Sequence, residues 1–191
     1  MIDYQPWPAI PSMLVDGFIR SLKSGELIHT YDHYAPDLSS VIWEESIGKP
    51  LEETTKDGLT PASFIFEEAP ANLKNWIREH IPLYETYSIH VQVMCNGNNI
   101  FPHVDEERKI AYNYIIEAHP DTVTCFYKPK EEFKNFTAYP NTYIPYYRVD
   151  VISEEYIEMF KWHRLDVKKI HSVEKLDPDG YRIAITLSIP I

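Results

Sequence analysis

Only two cysteines occur in 191 residues, Cys95 and Cys125. Both sit in apolar runs, where buried free thiols are common, so no disulfide framework is expected. No stretch approaches the uninterrupted apolar length of a membrane span. The opening MIDYQPWPAIP has no basic segment followed by an apolar one, so no secretory leader is expected and the cytoplasm is the expected compartment. Clustered positive charge is missing as well. Against 29 Asp and Glu stand 18 Lys and Arg, for a net charge of −11, which disfavours binding along a nucleic-acid backbone. No internal repeat or low-complexity tract interrupts the chain.

What is present is an apolar fraction of 44% with 14% aromatic residues, the make-up of a folded globular protein. The length fits one domain, residues 1–191. Residues 1–83 read as a helical and strand-bearing N-terminal layer. After Pro11, Ser12 can cap a helix lined by Leu14, Phe18 and Leu22, with Val15 and Ile19 beside them and Gly25 at its end. Strands are expected at 27–31, 41–45 and 63–66. A second helix is expected from about Pro70 to Ile81, burying Leu73, Trp76, Ile77 and Ile81 before Pro82.

From Tyr84 onward the pattern becomes strands separated by turns, consistent with a jelly-roll core over 84–191. Tyr87, Ile89, Val91 and Val93 alternate with Ser88, His90, Gln92 and Met94 before Asn96-Gly97. KIAYNYIIE and TVTCFYKP flank a turn at His119-Pro120-Asp121. Residues 130–147, with Tyr139 and Tyr143, are aromatic but aperiodic and read as a long loop, expected to form a mobile wall over a site, the alternative being that its rings pack on the N-terminal helices. A short strand at 147–151 and a capped helix at 153–160 then lead to the strand bearing His171.

Within this frame four residues stand out. His103 and Asp105 in FPHVDEE form a His-x-Asp pair, whose side chains share one face in an extended segment. With His171 in KKIHSVE they supply two imidazole nitrogens and a carboxylate oxygen, the facial triad of non-haem Fe(II) oxygenases, with the other side of the ion open. Beyond a turn at Asp177-Pro178-Asp179-Gly180 comes YRIAITLSI. There Arg182 shares a face with Ala184, Thr186 and Ser188, opposite the apolar Ile183, Ile185, Leu187 and Ile189. A planar guanidinium on such a face suits bidentate grip of a carboxylate, and the face equally suits contact with water.

On these residues the chain resembles an iron(II)- and 2-oxoglutarate-dependent oxygenase of the double-stranded β-helix superfamily, with a prolyl-hydroxylase-like pattern over residues 84–189. The resemblance implies an α+β, mainly β jelly roll with N-terminal helices packed outside. It implies Fe(II) on His103, Asp105 and His171, and 2-oxoglutarate held through its far carboxylate by Arg182. With O₂, such an enzyme hydroxylates a C–H bond of a peptide or small-molecule substrate and releases succinate and CO₂. Where many members carry Arg-x-Ser, this chain has Arg182-Ile183-Ala184. Tyr112, Asn113 and Tyr114 stand where relatives place co-substrate contacts, with the inward set open between Asn113 and the tyrosines.

Two other readings of the barrel remain: a cupin-like metalloenzyme without 2-oxoglutarate, and a non-catalytic jelly-roll binding protein in which His103 and His171 never meet. His29, His33, His80, His119 and His163 lack ligand spacing and read as surface or hydrogen-bonded residues. His90 shares a face with Gln92 and Met94 and is a candidate neighbour of the site.

Overall fold

A computed structural model describes residues 2–23, 62–95, 97, 99–105, 108–134 and 144–191. The elements in chain order are β1 (Asp3–Gln5), α1 (Asp16–Lys23), β2 (Ser63–Glu68), α2 (Ala71–His80), β3 (Ser88–Cys95), β4 (Asn99–His103), β5 (Arg108–Glu117), β6 (Val123–Pro129), β7 (Val149–Tyr156), β8 (Trp162–Asp166), β9 (His171–Glu174) and β10 (Tyr181–Pro190). They form a six-stranded sheet, β1-β8-β5-β10-β3-β2, and a four-stranded sheet, β4-β9-β6-β7, antiparallel throughout. The protein is thus mainly β, with two antiparallel sheets in a jelly-roll arrangement.

The N-terminal segment does more than cover this core, because β1 pairs with β8 and β2 with β3, closing both edges of the larger sheet. Pro70 stands at the N-cap of α2, which ends where Ile81 turns extended before Pro82. The helix buries Leu73 and Ile77, spaced one turn apart, with Ile81 beyond its end and Trp76 half-buried. These meet Ile89, Val91 and Val93 of β3 and Ile183, Ile185 and Leu187 of β10, the apolar face read from the sequence.

Three expectations need correcting. Ser12 opens a 3-10 turn over Ser12–Leu14 and does not cap α1, which starts at Asp16. The helix expected at 153–160 is absent. Ser153 and Tyr156 belong to β7, whose pairing with β6 overrides the helical spacing of Ile152, Tyr156 and Met159. The polar face of β10 is not wet either: Arg182 is 4% exposed, Ala184 and Thr186 0%, and Ser188 7%. Both faces of this strand are dry because α2 covers one and the four-stranded sheet faces the other. The expected strands at 27–31 and 41–45, Gly25, Asn96, His29, His33 and loop residues 135–143 lie outside the described residues.

Two local features set the site's position. Ile100 pairs with Val173 and His103 with His171, so β4 spends three residues where β9 spends two, a bulge at Pro102. Proline has no N–H to give a ladder and is tolerated at edge positions and bulges, and β4 is an edge strand. The bulge puts His103 on the same face as Ile100, facing His171, where strict alternation would turn it away.

On the opposite face of the small sheet, the buried Glu174 carboxylate accepts hydrogen bonds from the hydroxyls of Tyr127, Ser172 (3.0 Å) and Tyr146 (3.0 Å). Asn99 in turn donates to Tyr146 at 2.8 Å. This cluster pins the segment around Tyr146 to the sheet. Removing a shared acceptor strands several buried donors, so Glu174→Ala should cost about 2–4 kcal/mol. The check is urea unfolding, in which the midpoint should fall with an unchanged slope.

Candidate metal and co-substrate site

His103 lies at the end of β4, His171 opens β9, and Asp105 follows β4 by two residues. One ligand atom from each lies within 4.8 Å of the other two. The imidazole centroids of His103 and His171 are 4.4 Å apart, and His103 Nε2 is 3.4 Å from Asp105 Oδ1. Each imidazole is oriented from behind. His103 Nδ1 lies 2.7 Å from the Phe101 carbonyl, and His171 Nδ1 lies 2.9 Å from the Lys169 carbonyl. A carbonyl only accepts, so Nδ1 carries the proton in both rings and Nε2 presents its lone pair to the site.

Asp105 is held on three sides. Its N–H donates to the Val167 carbonyl at 3.0 Å, and its own carbonyl accepts from Lys168 Nζ at 2.8 Å. Its Oδ2 pairs with Arg108 Nε, and Arg108 is braced by Ser188 Oγ at 3.3 Å. Burial alone would raise the carboxyl pKa. Close contact with the His103 imidazole and the charge of Arg108 outweigh it and hold the group well below the usual carboxylate range. Burial lowers His171 to about 4, assisted by His103. Two imidazole nitrogens and one carboxylate oxygen form a donor set that fits a divalent first-row metal.

The inward face of β10 runs from this trio to Arg182, with Ser188 near Asp105 at one end and Arg182 at the other. The Arg182 guanidinium is buried, and its only described contacts are Gln92 Oε1 at 3.4 Å and Met94 Sδ at 3.6 Å. No carboxylate pairs with it among the described residues. Burial lowers its pKa to about 10, so it stays charged at neutral pH. A cavity of about 230 Å³ lined by Ile115, Thr124, Glu158 and Met159 reaches Arg182 but none of the trio. A larger cleft of about 490 Å³ over the 119–121 and 175–178 turns touches neither.

Register settles which face of β5 points inward. Asn113 pairs with Thr186, and Thr186 Oγ1 donates to Asn113 Oδ1 at 2.8 Å. Tyr112 and Tyr114 point the other way and cannot touch a ligand between the sheets. Their rings pack on Trp7 (4.8 Å) and Trp162 (5.2 Å) respectively. His163 is a second correction, because its ring is fully buried with neither nitrogen hydrogen-bonded. The sequence hint was its place between Trp162 and Leu165 in an alternating strand. Arg108 and Glu174 also escaped the sequence reading, since the partner that a charged side chain meets across strands carries no spacing signal.

The His163 environment has a measurable cost in acid. Burial, then the charge of Arg182, depress its pKa from 6.5 to about 3. Below about pH 6.5 the unfolded chain takes up a proton that the folded protein refuses until about pH 3. Stability that is full above pH 6.5 is therefore lost across that window, by on the order of 5 kcal/mol. Thermal melts between pH 7 and 4 should show the loss, and His163→Leu should remove this component.

No protein-family model matches the sequence, and no curated protein does. Solved structures similar to this chain include a 2OG-Fe(II) oxygenase family protein from Burkholderia pseudomallei and others named for or solved with 2-oxoglutarate. The non-haem α-ketoglutarate-dependent epimerase SnoN from nogalamycin biosynthesis is 8% identical, with a TM-score of 0.48 over 95% of this chain and 75% of that one. HygX from Streptomyces hygroscopicus, solved with nickel and 2-oxoglutarate, is 10% identical, with a TM-score of 0.46 over 98% and 80%. The Escherichia coli ribosomal oxygenase YcfD is 13% identical, with a TM-score of 0.38 over 75% of this chain and 36% of that one.

Proposed function

We propose that this chain is a 2-oxoglutarate-dependent Fe(II) oxygenase that hydroxylates a C–H bond of a small-molecule or peptide substrate, with release of succinate and CO₂. The observation that carries the proposal is the convergence of His103, Asp105 and His171 within 4.8 Å, at one end of an inward strand face whose other end holds a buried cation that meets no carboxylate among the described residues. In this reading residues 1–191 form one domain in the cytoplasm. Strands β3 to β10, which alternate between the two sheets in pairs of neighbours, form a double-stranded β-helix.

His103, Asp105 and His171 would hold the iron, which together with 2-oxoglutarate and O₂ supplies the oxidising chemistry. The protein's own contribution is orientation and exclusion of water. Backbone carbonyls fix both imidazole tautomers, and Arg108 occupies Asp105 Oδ2, so that Oδ1 is the oxygen presented. Arg182 supplies the charge for the far carboxylate of 2-oxoglutarate. Barrel chemistry without a co-substrate would leave that charge unexplained, which favours this reading over a cupin-like one. Anaerobic addition of Fe(II) and then 2-oxoglutarate should produce a metal-to-ligand charge-transfer band. Metal binding without that band on addition of 2-oxoglutarate would defeat the proposal.

A further inference from the structure

Four polar residues form one row across the inward face of the larger sheet. His90 pairs with Thr186, Thr186 with Asn113, and Asn113 with His163. Thr186 and Asn113 satisfy each other. His163 does not share in this. It is 0% exposed, and among the described residues neither ring nitrogen has a partner in good hydrogen-bond geometry, the Lys161 backbone being close enough only to offset part of the burial effect. The ring of Tyr4 on the adjacent strand meets it only edge-on, with centroids 6.4 Å apart.

A buried imidazole with an unused N–H is costly, and native folds seldom keep such groups without a ligand or water to complete them. Arg182 faces the same interior with the complementary deficit, a buried charge that meets no anion among the described residues. The two are within electrostatic reach, since burial, and after it the guanidinium charge, keeps the imidazole neutral. A neutral imidazole donates one hydrogen bond without adding a second buried charge. We propose that His163 and Arg182 hold the same bound acid, Arg182 by charge and His163 by a hydrogen bond to the far carboxylate of 2-oxoglutarate. This replaces the hydroxyl that Arg182-Ile183-Ala184 lacks. Thr186, the nearest hydroxyl on that face of β10, already spends its proton on Asn113.

The inference rests on the co-substrate reading above, and the test separates the two. Zinc-loaded protein is titrated calorimetrically with 2-oxoglutarate and with pyruvate, which has the same 2-oxo acid head but no far carboxylate. His163→Leu should weaken 2-oxoglutarate about tenfold or more, leave zinc and pyruvate binding unchanged, and be largely rescued by His163→Gln. Unchanged 2-oxoglutarate affinity, or equal loss of both acids, overturns the role of His163. In the unaltered protein, ¹⁵N-histidine NMR should show a ring N–H of His163 becoming protected on adding 2-oxoglutarate but not pyruvate. No such change overturns the assignment even where the leucine variant does not fold. If the unaltered zinc-loaded protein binds no 2-oxoglutarate at all, the co-substrate reading itself fails.

Discussion

Arg182→Met protein should melt at a higher temperature than the parent and yet lose its grip on 2-oxoglutarate. Among the described residues the buried guanidinium meets only an amide oxygen and a thioether, which leaves its desolvation largely uncompensated in the ligand-free protein. Replacing it with an apolar chain of similar length should stabilise the ligand-free protein by about 1–3 kcal/mol, several degrees for a chain of this size. Loss of a buried charge-assisted bidentate contact should at the same time weaken 2-oxoglutarate by on the order of 2–4 kcal/mol, some 30- to 1,000-fold. Scanning fluorimetry with and without 2-oxoglutarate reads both effects. The parent should gain stability from the acid and the variant should not. A lower melting temperature for the ligand-free variant would mean that Arg182 is a structural strut.

Asp105→Asn should abolish divalent-metal binding and also destabilise the fold. The amide is a poor metal ligand, and it removes the negative partner of Arg108 at a site where the carboxylate is 6% exposed. Metal affinity should fall by at least about 100-fold, read with Co(II) or Ni(II) by calorimetry, and stability by about 2–4 kcal/mol. His171→Ala should lose the metal equally but not the Arg108 contribution to stability. Retained affinity in either variant would remove that residue from the metal-binding set.

The parts of the site legible in the sequence were those whose chemistry fixes a spacing. His103 and Asp105 must lie close in an extended segment, and Arg182 must follow a turn after His171. The apolar face of β10 was legible for the same reason, as a strict alternation. What depended on pairing was not. Only the register of β5 against β10 turns Asn113 inward and sends Tyr112 and Tyr114 to the tryptophans. Only the Pro102 bulge shows that His103 faces inward through a break in alternation. The segment 153–156 was misread because its spacing satisfies a helix locally, while the neighbour that makes it a strand lies some thirty residues away in β6. For His163 the alternation of Trp162 to Leu165 hinted at burial, but whether its ring nitrogens find partners depends on neighbouring strands and is not written in the sequence.

The central place of β10 also has a consequence for how the chain assembles during synthesis. β10 lies between β3 and β5 and is hydrogen-bonded to both, yet it is the last of these strands to emerge from a ribosome. Until then β3 and β5 each present an open edge to the gap that β10 will fill, and neither can complete a ladder with the other. The nascent chain must carry these apolar edges exposed through the synthesis of some sixty residues beyond β5. Such late, long-range closure makes folding slow, and open strand edges invite pairing with other chains. Expression yield should therefore respond more sharply to substitutions that weaken β10 pairing than the equilibrium stability of the finished protein does.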